Sequence, residues 1–356
     1  MVIIFLTAFG LIMIYSSSAY NAQVSGQPST YYMMRQGGIA VVGFIMMLII
    51  SKIDYHFFAK FAVPAVVVTF TPLGIAVNGK KRWLGTRSLR FQPAELVKIV
   101  MILFLAVVIT RLGKRINEWR VWGMLAVLLG PLALFVTLNN LSSGIIICGI
   151  AFVMMFVACK RKWPFILVVA ALIVVIVFAP PVAIAMEKAG ILHSYQLSRI
   201  LVWKNPEAYP KSGGYQVLQG LYAIGSGGLL GKGLGQSIQK LSFLPEPQND
   251  MIFAVICEEL GLFGAIAVIF MFLFMLYRFL VIAGNAPDLF GAMLVTGVLA
   301  HIAIQVVLNI AVVTNVIPNT GITLPFISYG GTSVLFLMVE MGMVLSVSNR
   351  IRLEQA

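Results

Sequence analysis

Apolar residues run through this chain in long blocks, not in the alternation that marks half-buried strands. The blocks fall at 2–18, 37–52, 60–77, 95–110, 121–138, 143–159, 164–186, 251–282, 288–313 and 333–348. Most approach the roughly 20 residues with which a helix crosses bilayer hydrocarbon. The pattern predicts an all-α polytopic membrane protein of about ten transmembrane helices. Most connections are short; the exception is 187–250, a large loop between the seventh and eighth helices. With no soluble domain and no obvious repeat, 1–356 is expected to form one integral membrane domain containing that loop. The first block, "MVIIFLTAFGLIMIYSSSA", is apolar from its start and meets no Lys or Arg before Arg35. A cleaved leader usually opens with a basic stretch, so this block reads as a first span.

Composition agrees: 60% of residues are hydrophobic and 10% charged, against about 25% charged in an ordinary globular protein. Cys148, Cys159 and Cys257 lie in or beside apolar runs and suggest neither a disulfide framework nor a Cys-rich metal site. The three histidines lack HExxH spacing, and His301, inside an apolar run, reads as a hydrogen-bonded core histidine. Lys and Arg then set the orientation. With the N-terminus in the cytoplasm, twelve cations fall inside, twelve outside, and Lys98 within a span. Six of the outer twelve belong to the long loop, which weighs less in the rule. Among short loops the inner side leads by twelve to six, which favours both termini inside and 187–250 outside.

The outer cations are unevenly placed. "NGKKRWLGTRSLRFQP" (78–93) carries Lys80, Lys81, Arg82, Arg87 and Arg90 and no acid. It reads either as a solvated loop or as a site for an anionic group at the outer leaflet, such as a lipid phosphate or pyrophosphate. Arg and Lys suit phosphate oxygens. Just beyond, Glu95 and Lys98 are three apart and share a helix face. They are an ion pair tolerable near the membrane boundary, or a pair lining a polar cavity.

Three further stretches carry polar or glycine-rich punctuation. "AIGSGGLLGKGLG" (223–235) fails as a P-loop, with Ser226 in place of the leading Gly and Gly233 in place of Ser/Thr. Leu230 also breaks GxGxxG after Gly225 and Gly227. It reads as a turn-rich loop that permits close backbone approach, a ligand being one candidate. "GITLPFISYGGTS" (321–333) reads as irregular backbone needing protein cover or a wet cavity. Ser328, Tyr329 and Thr332 are its hydrogen-bonding groups. "LPEPQNDMIFAVICEELG" (244–261) sets Asp250 at the opening of the eighth block and Glu258 and Glu259 inside it. Asp250 is a candidate N-cap, although Phe253 stands where a capping box wants Glu or Gln. It is equally a candidate general base. At least one of the two deeper glutamates should face protein or water.

Taken in order, "GLIMIYSSS", "KRWLG", "FQPAELVK", "GYQ", "AIGSGGLLGKGLG", "LPEPQNDMIFAVICEELGLFG" and "LPFISYGGTS" resemble the SEDS family, the RodA/FtsW/SpoVE group, across nearly the whole chain. "LPEPQND" and "QKLSF" look more like the FtsW/SpoVE branch. The resemblance implies a ten-helix peptidoglycan glycosyltransferase that polymerises lipid II, a disaccharide-pentapeptide on undecaprenyl pyrophosphate. Its implied partners are the growing glycan strand, membrane lipids and a class B penicillin-binding protein, with no nucleic acid. By motif match Asp250 corresponds to the family's essential carboxylate, Glu95 and Lys98 to its charged pair, and Trp83 to its outer-loop tryptophan. Many members carry "PDLGT" after the fifth span; here "NNLSSG" puts Asn140 at the position of the Asp, which leaves it out of the catalytic set.

The implied reaction needs a base for the acceptor hydroxyl and positive charge for the departing pyrophosphate. Asp250 is the expected base. Lys80, Lys81, Arg82, Arg87, Arg90, Arg199 and Lys232 are the candidate cations, and Trp83, Glu95, Lys98 and Ser328 complete the expected substrate-binding set. A divalent cation, Mg²⁺ or Mn²⁺, is a further candidate for the pyrophosphate, with no recognisable metal-binding motif to hold it. The competing readings are a flippase or transporter for the same lipid and a non-catalytic scaffold for cell-wall synthases. Clustering of the motifs on the outer side favours the enzyme.

Overall fold

A computed structural model gives the fold, and it describes residues 1–69, 75–77, 80–85, 90–188 and 194–351. The described residues form fourteen α-helices. They are α1 (Val2–Val24), α2 (Tyr31–Lys52), α3 (Tyr55–Ala59), α4 (Ala62–Thr69), α5 (Pro93–Leu112), α6 (Trp119–Asn139) and α7 (Leu141–Ala158). After them come α8 (Trp163–Val177), α9 (Ala179–Lys188), α10 (Ser194–Lys204), α11 (Tyr215–Gly227), α12 (Ile252–Gly284), α13 (Leu289–Val313) and α14 (Thr332–Ser348). Among the described residues seven helical stretches are long and apolar enough to cross a membrane: those beginning at Val2, Tyr31, Pro93, Trp119, Leu141, Ile252 and Leu289. Helices α8 and α14 are apolar and shorter. The chain is a multi-pass membrane protein.

Two expected spans come out differently. The block at 60–77 is helical only over α4; its end, Ile75–Val77, is strand β1. β1 pairs antiparallel with β2 (Lys80–Gly85), and β2 with β3 (Arg90–Phe91). The register sets Val77 opposite Lys80. The block at 164–186 is two helices, α8 and α9, separated at Phe178. Pro180 and Pro181 cannot continue a helix from the turn before them but suit the first turn of a new one. The loop 187–250 is itself partly helical, containing α10 and α11.

The chain forms two compact units. The first comprises Met1–Met34, Lys162–Met271 and Val306–Tyr329; the second comprises Arg35–Arg161, Phe272–Gln305 and Gly330–Ala356. In the second unit α5 is buried along most of its length, against α4, α7 and α14. Asn140 caps α7 by accepting from Ser143 N at 3.3 Å, a structural role for the residue that replaces the family's Asp.

The first unit is organised around a break in α12. Gly261 has φ +66°, outside the helical region. Glu258 and Glu259 therefore lose their usual backbone partners four residues on, and the glycine-rich loop replaces them. Lys232 N and Gly233 N donate to the Glu258 and Glu259 carbonyls, each at 2.9 Å. In return Leu262 N and Phe263 N donate to the Gly228 and Leu229 carbonyls at 3.0 and 3.2 Å. Irregular backbone in a membrane protein needs this kind of replacement. The close approach expected of the loop is thus to α12. A Cβ added at Gly231 would lie 2.2 Å from Glu259 O, and one at Gly261 2.3 Å from Gly231 N.

Candidate active site

Asp250 closes the turn that leads from 241 into α12. The helix begins at Ile252, and Ala254 N bonds back to the Met251 carbonyl at 3.0 Å. Asp250 thus lies one residue ahead of the capping position, and its carboxylate is stabilised by its own backbone N–H. The side chain is half-buried. Burial is the main cause that raises its pKa to about 6; Glu246 pushes the same way, and Arg199 opposes it.

Two hydrogen bonds within the first unit hold this turn, and three more tie together segments of the same unit. Asn309 Nδ2, on α13, donates to the Asp250 carbonyl at 2.9 Å and to the Ile322 carbonyl at 2.6 Å. Tyr329 N donates to the Gln248 carbonyl at 2.9 Å. Arg199, on α10, donates from Nη1 to the Asn319 carbonyl at 2.9 Å. Asn319 in turn donates to Gln216 Oε1 on α11 at 3.1 Å. Gly321 stands at the edge of the carboxylate with φ +69°, and a Cβ there would be 3.7 Å from Asp250 Oδ2. Asp250 and Arg199, both singled out from the sequence, are therefore brought into one electrostatic neighbourhood.

Beneath the turn lies a network of buried charges in the same unit. Glu258 and Glu259 are fully buried. Glu258 accepts from Lys232 Nζ at 2.7 Å, from Ser237 Oγ and from Ile238 N at 3.1 Å. Glu259 accepts from Lys240 Nζ at 2.6 Å, Ser16 Oγ at 2.7 Å and Gly235 N at 3.0 Å. Both glutamates face protein. Lys232, expected among the substrate cations, directs its ammonium at Glu258. Ser328 is buried, and its Oγ accepts from Leu324 N at 2.8 Å, an organising contact of the 321–329 loop.

The second unit holds the remaining described candidates. Lys98 Nζ and Glu95 Oε2 are 2.8 Å apart and both buried, and Ser333 Oγ donates to the same Glu95 oxygen at 2.9 Å. His301 is a hydrogen-bonded core histidine: Nδ1 meets Glu340 at 2.8 Å and Nε2 meets Gln305 at 2.9 Å. Lys80, Lys81, Arg82 and Trp83 belong to β2 and Arg90 to β3, with their side chains outside the description. Arg87 lies outside the described residues altogether.

Sequence reasoning passed over Asn309, Asn319, Lys240 and Ser16. A lone Asn in the apolar run "IQVVLNIAVV" was the available signal for the first, since polar groups within a span seek partners. Lys240 and Ser16 lie in the stretches "QKLSF" and "GLIMIYSSS", but no spacing ties them to their partner Glu259, 19 and 243 residues away.

Comparison with known proteins places the chain in a family. Residues 1–353 match the cell cycle protein family profile of FtsW, RodA and SpoVE. Stage V sporulation protein E of Bacillus subtilis is 36% identical over 357 residues, covering 96% of this chain and 94% of the relative. The probable peptidoglycan glycosyltransferase FtsW of Trichlorobacter lovleyi is 34% identical, covering 99% and 93%. A solved chain from work on polymerization and crosslinking by a peptidoglycan synthase complex is similar with TM-score 0.77 and 25% identity, over 99% of this chain and 98% of that one. With the family profile met over nearly its full length, this chain belongs to the FtsW/RodA/SpoVE family.

Proposed function

We propose that this chain is a peptidoglycan glycosyltransferase that polymerises lipid II at the outer face of the cytoplasmic membrane, with Asp250 as general base. The observation that carries the reading is the carboxylate: half-buried, edged by Gly321, and held by burial at a pKa of about 6. A base works best with a pKa near the operating pH. The relative named as a probable peptidoglycan glycosyltransferase supports the same activity.

Asp250 takes the proton from the acceptor sugar's 4-hydroxyl while that oxygen forms a bond to the donor's anomeric carbon. The bond from that carbon to the pyrophosphate oxygen breaks, and undecaprenyl pyrophosphate leaves with the electron pair. Asp250 then returns its proton to water. Arg199 contributes positive charge near the base, and Lys80, Lys81, Arg82, Arg87 and Arg90, with Trp83, are our candidates for receiving the lipid-linked phosphates. Lys232 and Ser328 we assign to holding their loops, and Glu95 with Lys98 to a buried pair. Among the described residues no three His, Cys, Asp or Glu gather as a metal site. A divalent cation arriving with the lipid-linked pyrophosphate would be held by Asp250 or Glu246 and would supply positive charge for the leaving group.

Both termini lie in the cytoplasm in this reading, and a class B penicillin-binding protein cross-links the product. The neighbour solved in a complex that couples polymerization to crosslinking supports such a partner. The relatives named for sporulation and as FtsW support a role in division or sporulation. A transport reading would draw on the buried charges of the second unit. Those described are paired within the protein, Glu95 with Lys98 and Glu340 with His301, which supports a structural role for them.

The test is purified full-length protein in lipid nanodiscs, supplied with labelled lipid II. Glycan strands should form with the wild type, and Asp250→Asn should lower their rate by at least about 10²-fold. Near-normal synthesis by Asp250→Asn at matched folded protein would remove Asp250 as the base. Movement of lipid II between leaflets without strands would favour the transporter.

A further inference from the structure

Asn309 is fully buried on α13, in the unit that holds Asp250. Its amide has two N–H groups, and the structure gives Nδ2 two acceptors. One is the Asp250 carbonyl at 2.9 Å, the other the Ile322 carbonyl at 2.6 Å. This also fixes the amide's orientation, because a flipped amide would turn Oδ1 toward two carbonyl oxygens. Oδ1 has no hydrogen-bond partner among the described residues although it is buried. A buried acceptor left in that state is costly, so the two donated bonds set the side chain's placement.

Those bonds join two segments distant in sequence. One carries Asp250. The other carries Gly321, whose missing Cβ would lie 3.7 Å from Asp250 Oδ2, and which precedes Ile322. The Asp250 carbonyl is also the last backbone group before Met251, whose own carbonyl starts α12. Tethering it fixes where the side chain leaves the backbone, and tethering Ile322 keeps the glycine edge against the carboxylate. We infer that Asn309 is a positioning residue for the glycosyl transfer: it orients Asp250 and holds the 321–324 segment over it, without touching substrate. The inference rests on the reading of Asp250 as the base.

No neighbouring side-chain type repeats the geometry. Asp at 309 would face two carbonyls with acceptors, Leu would donate nothing, Gln would overreach by one methylene, and Ser would fall short with one donor. Loss of the tether should cost rate, because a displacement of about 1 Å at a reacting group can cost about 10²-fold. It should also let water reach the carboxylate and return its acidity toward that of an ordinary Asp.

The experiment uses the full chain in nanodiscs with labelled lipid II, comparing wild type, Asn309→Ser and Asn309→Leu at equal folded protein. Expected are a KM within about twofold, a kcat lowered about 10- to 100-fold, and the acid limb of kcat against pH moved below that of the wild type. Asn309→Ser, smaller and polar, keeps the test open should Asn309→Leu not fold. A merely structural Asn309 would lower the yield of folded protein and leave kcat per folded molecule and the acid limb unchanged; either of those results overturns the inference. Asp250→Asn is assayed alongside. If it polymerises normally, the reading of Asp250 fails and takes this inference with it. If it is inactive while the Asn309 variants keep the wild-type rate and acid limb, the inference alone fails.

Discussion

Replacing Asp250 by Asn should stabilise the protein above neutral pH while abolishing its chemistry. Asn has nearly the shape of a protonated Asp and cannot ionise. In the fold Asp250 has a pKa raised from 3.8 to about 6, chiefly by burial. A carboxyl raised in this way favours the folded state while protonated. That contribution is complete below about pH 3.8 and is lost as pH rises through about 6. The gap of roughly two pKa units corresponds to about 2–3 kcal/mol, allowing for the partly exposed side. Wild type and Asp250→Asn should therefore melt nearly together at about pH 3.5, and the variant should melt several degrees higher at pH 8. The assay is thermal unfolding followed by tryptophan fluorescence in one detergent, across about pH 3.5 to 8, beside glycan synthesis on the same preparations. A melting difference that does not change with pH, or an Asn variant less stable at pH 8, would refute the burial argument. An N-cap lost to a poorer residue would cost about 0.5–2 kcal/mol at all pH values above the Asp pKa, with the opposite sign.

Glu95 and Lys98 should be coupled: removing either leaves the other buried and unpaired, at about 3–5 kcal/mol, so a double-mutant cycle in thermal stability should be strongly non-additive. Gly231→Ala should lower the melting temperature by several degrees, because its φ is +78° and the new Cβ would meet the Glu259 carbonyl at 2.2 Å; an unchanged melting curve would mean that the loop does not hold α12 as described. In a background lacking Cys148, Cys159 and Cys257, the exposed position Glu207→Cys should label in intact cells with an impermeant maleimide. Labelling only after permeabilisation would invert the proposed topology.

Much of this architecture is legible in the apolar blocks, because helices in lipid must satisfy their own backbone and so leave long uninterrupted runs. The runs mislead where a local signal is stronger than hydropathy. The end of the third block, Ile75–Val77, is a strand paired with Lys80–Gly85, and Pro180-Pro181 divides the seventh block. Asp250 stands out because an acid immediately before an apolar run is conspicuous. Its surroundings do not stand out. Asn309 and Gly321 reach it from a helix and loop some 60–70 residues away, and no spacing rule encodes that meeting. The same holds for Lys232 and Lys240, which read as outer-loop cations and prove to be the partners of Glu258 and Glu259.

The break at Gly261 also bears on how the helix enters the membrane during synthesis. Helix α12 has 33 residues, more than the roughly 20 that hydrocarbon requires. Residues 262–284 alone would extend about 34 Å at 1.5 Å per residue, and they contain no acid and only Arg278 as a charge. The portion after the break is therefore a sufficient insertion signal in itself. Glu258 and Glu259 fall on the other side of it, beside lysines that the ribosome has already delivered ahead of them. A chain assembled in this order can integrate its eighth span without drawing either carboxylate through the lipid interior.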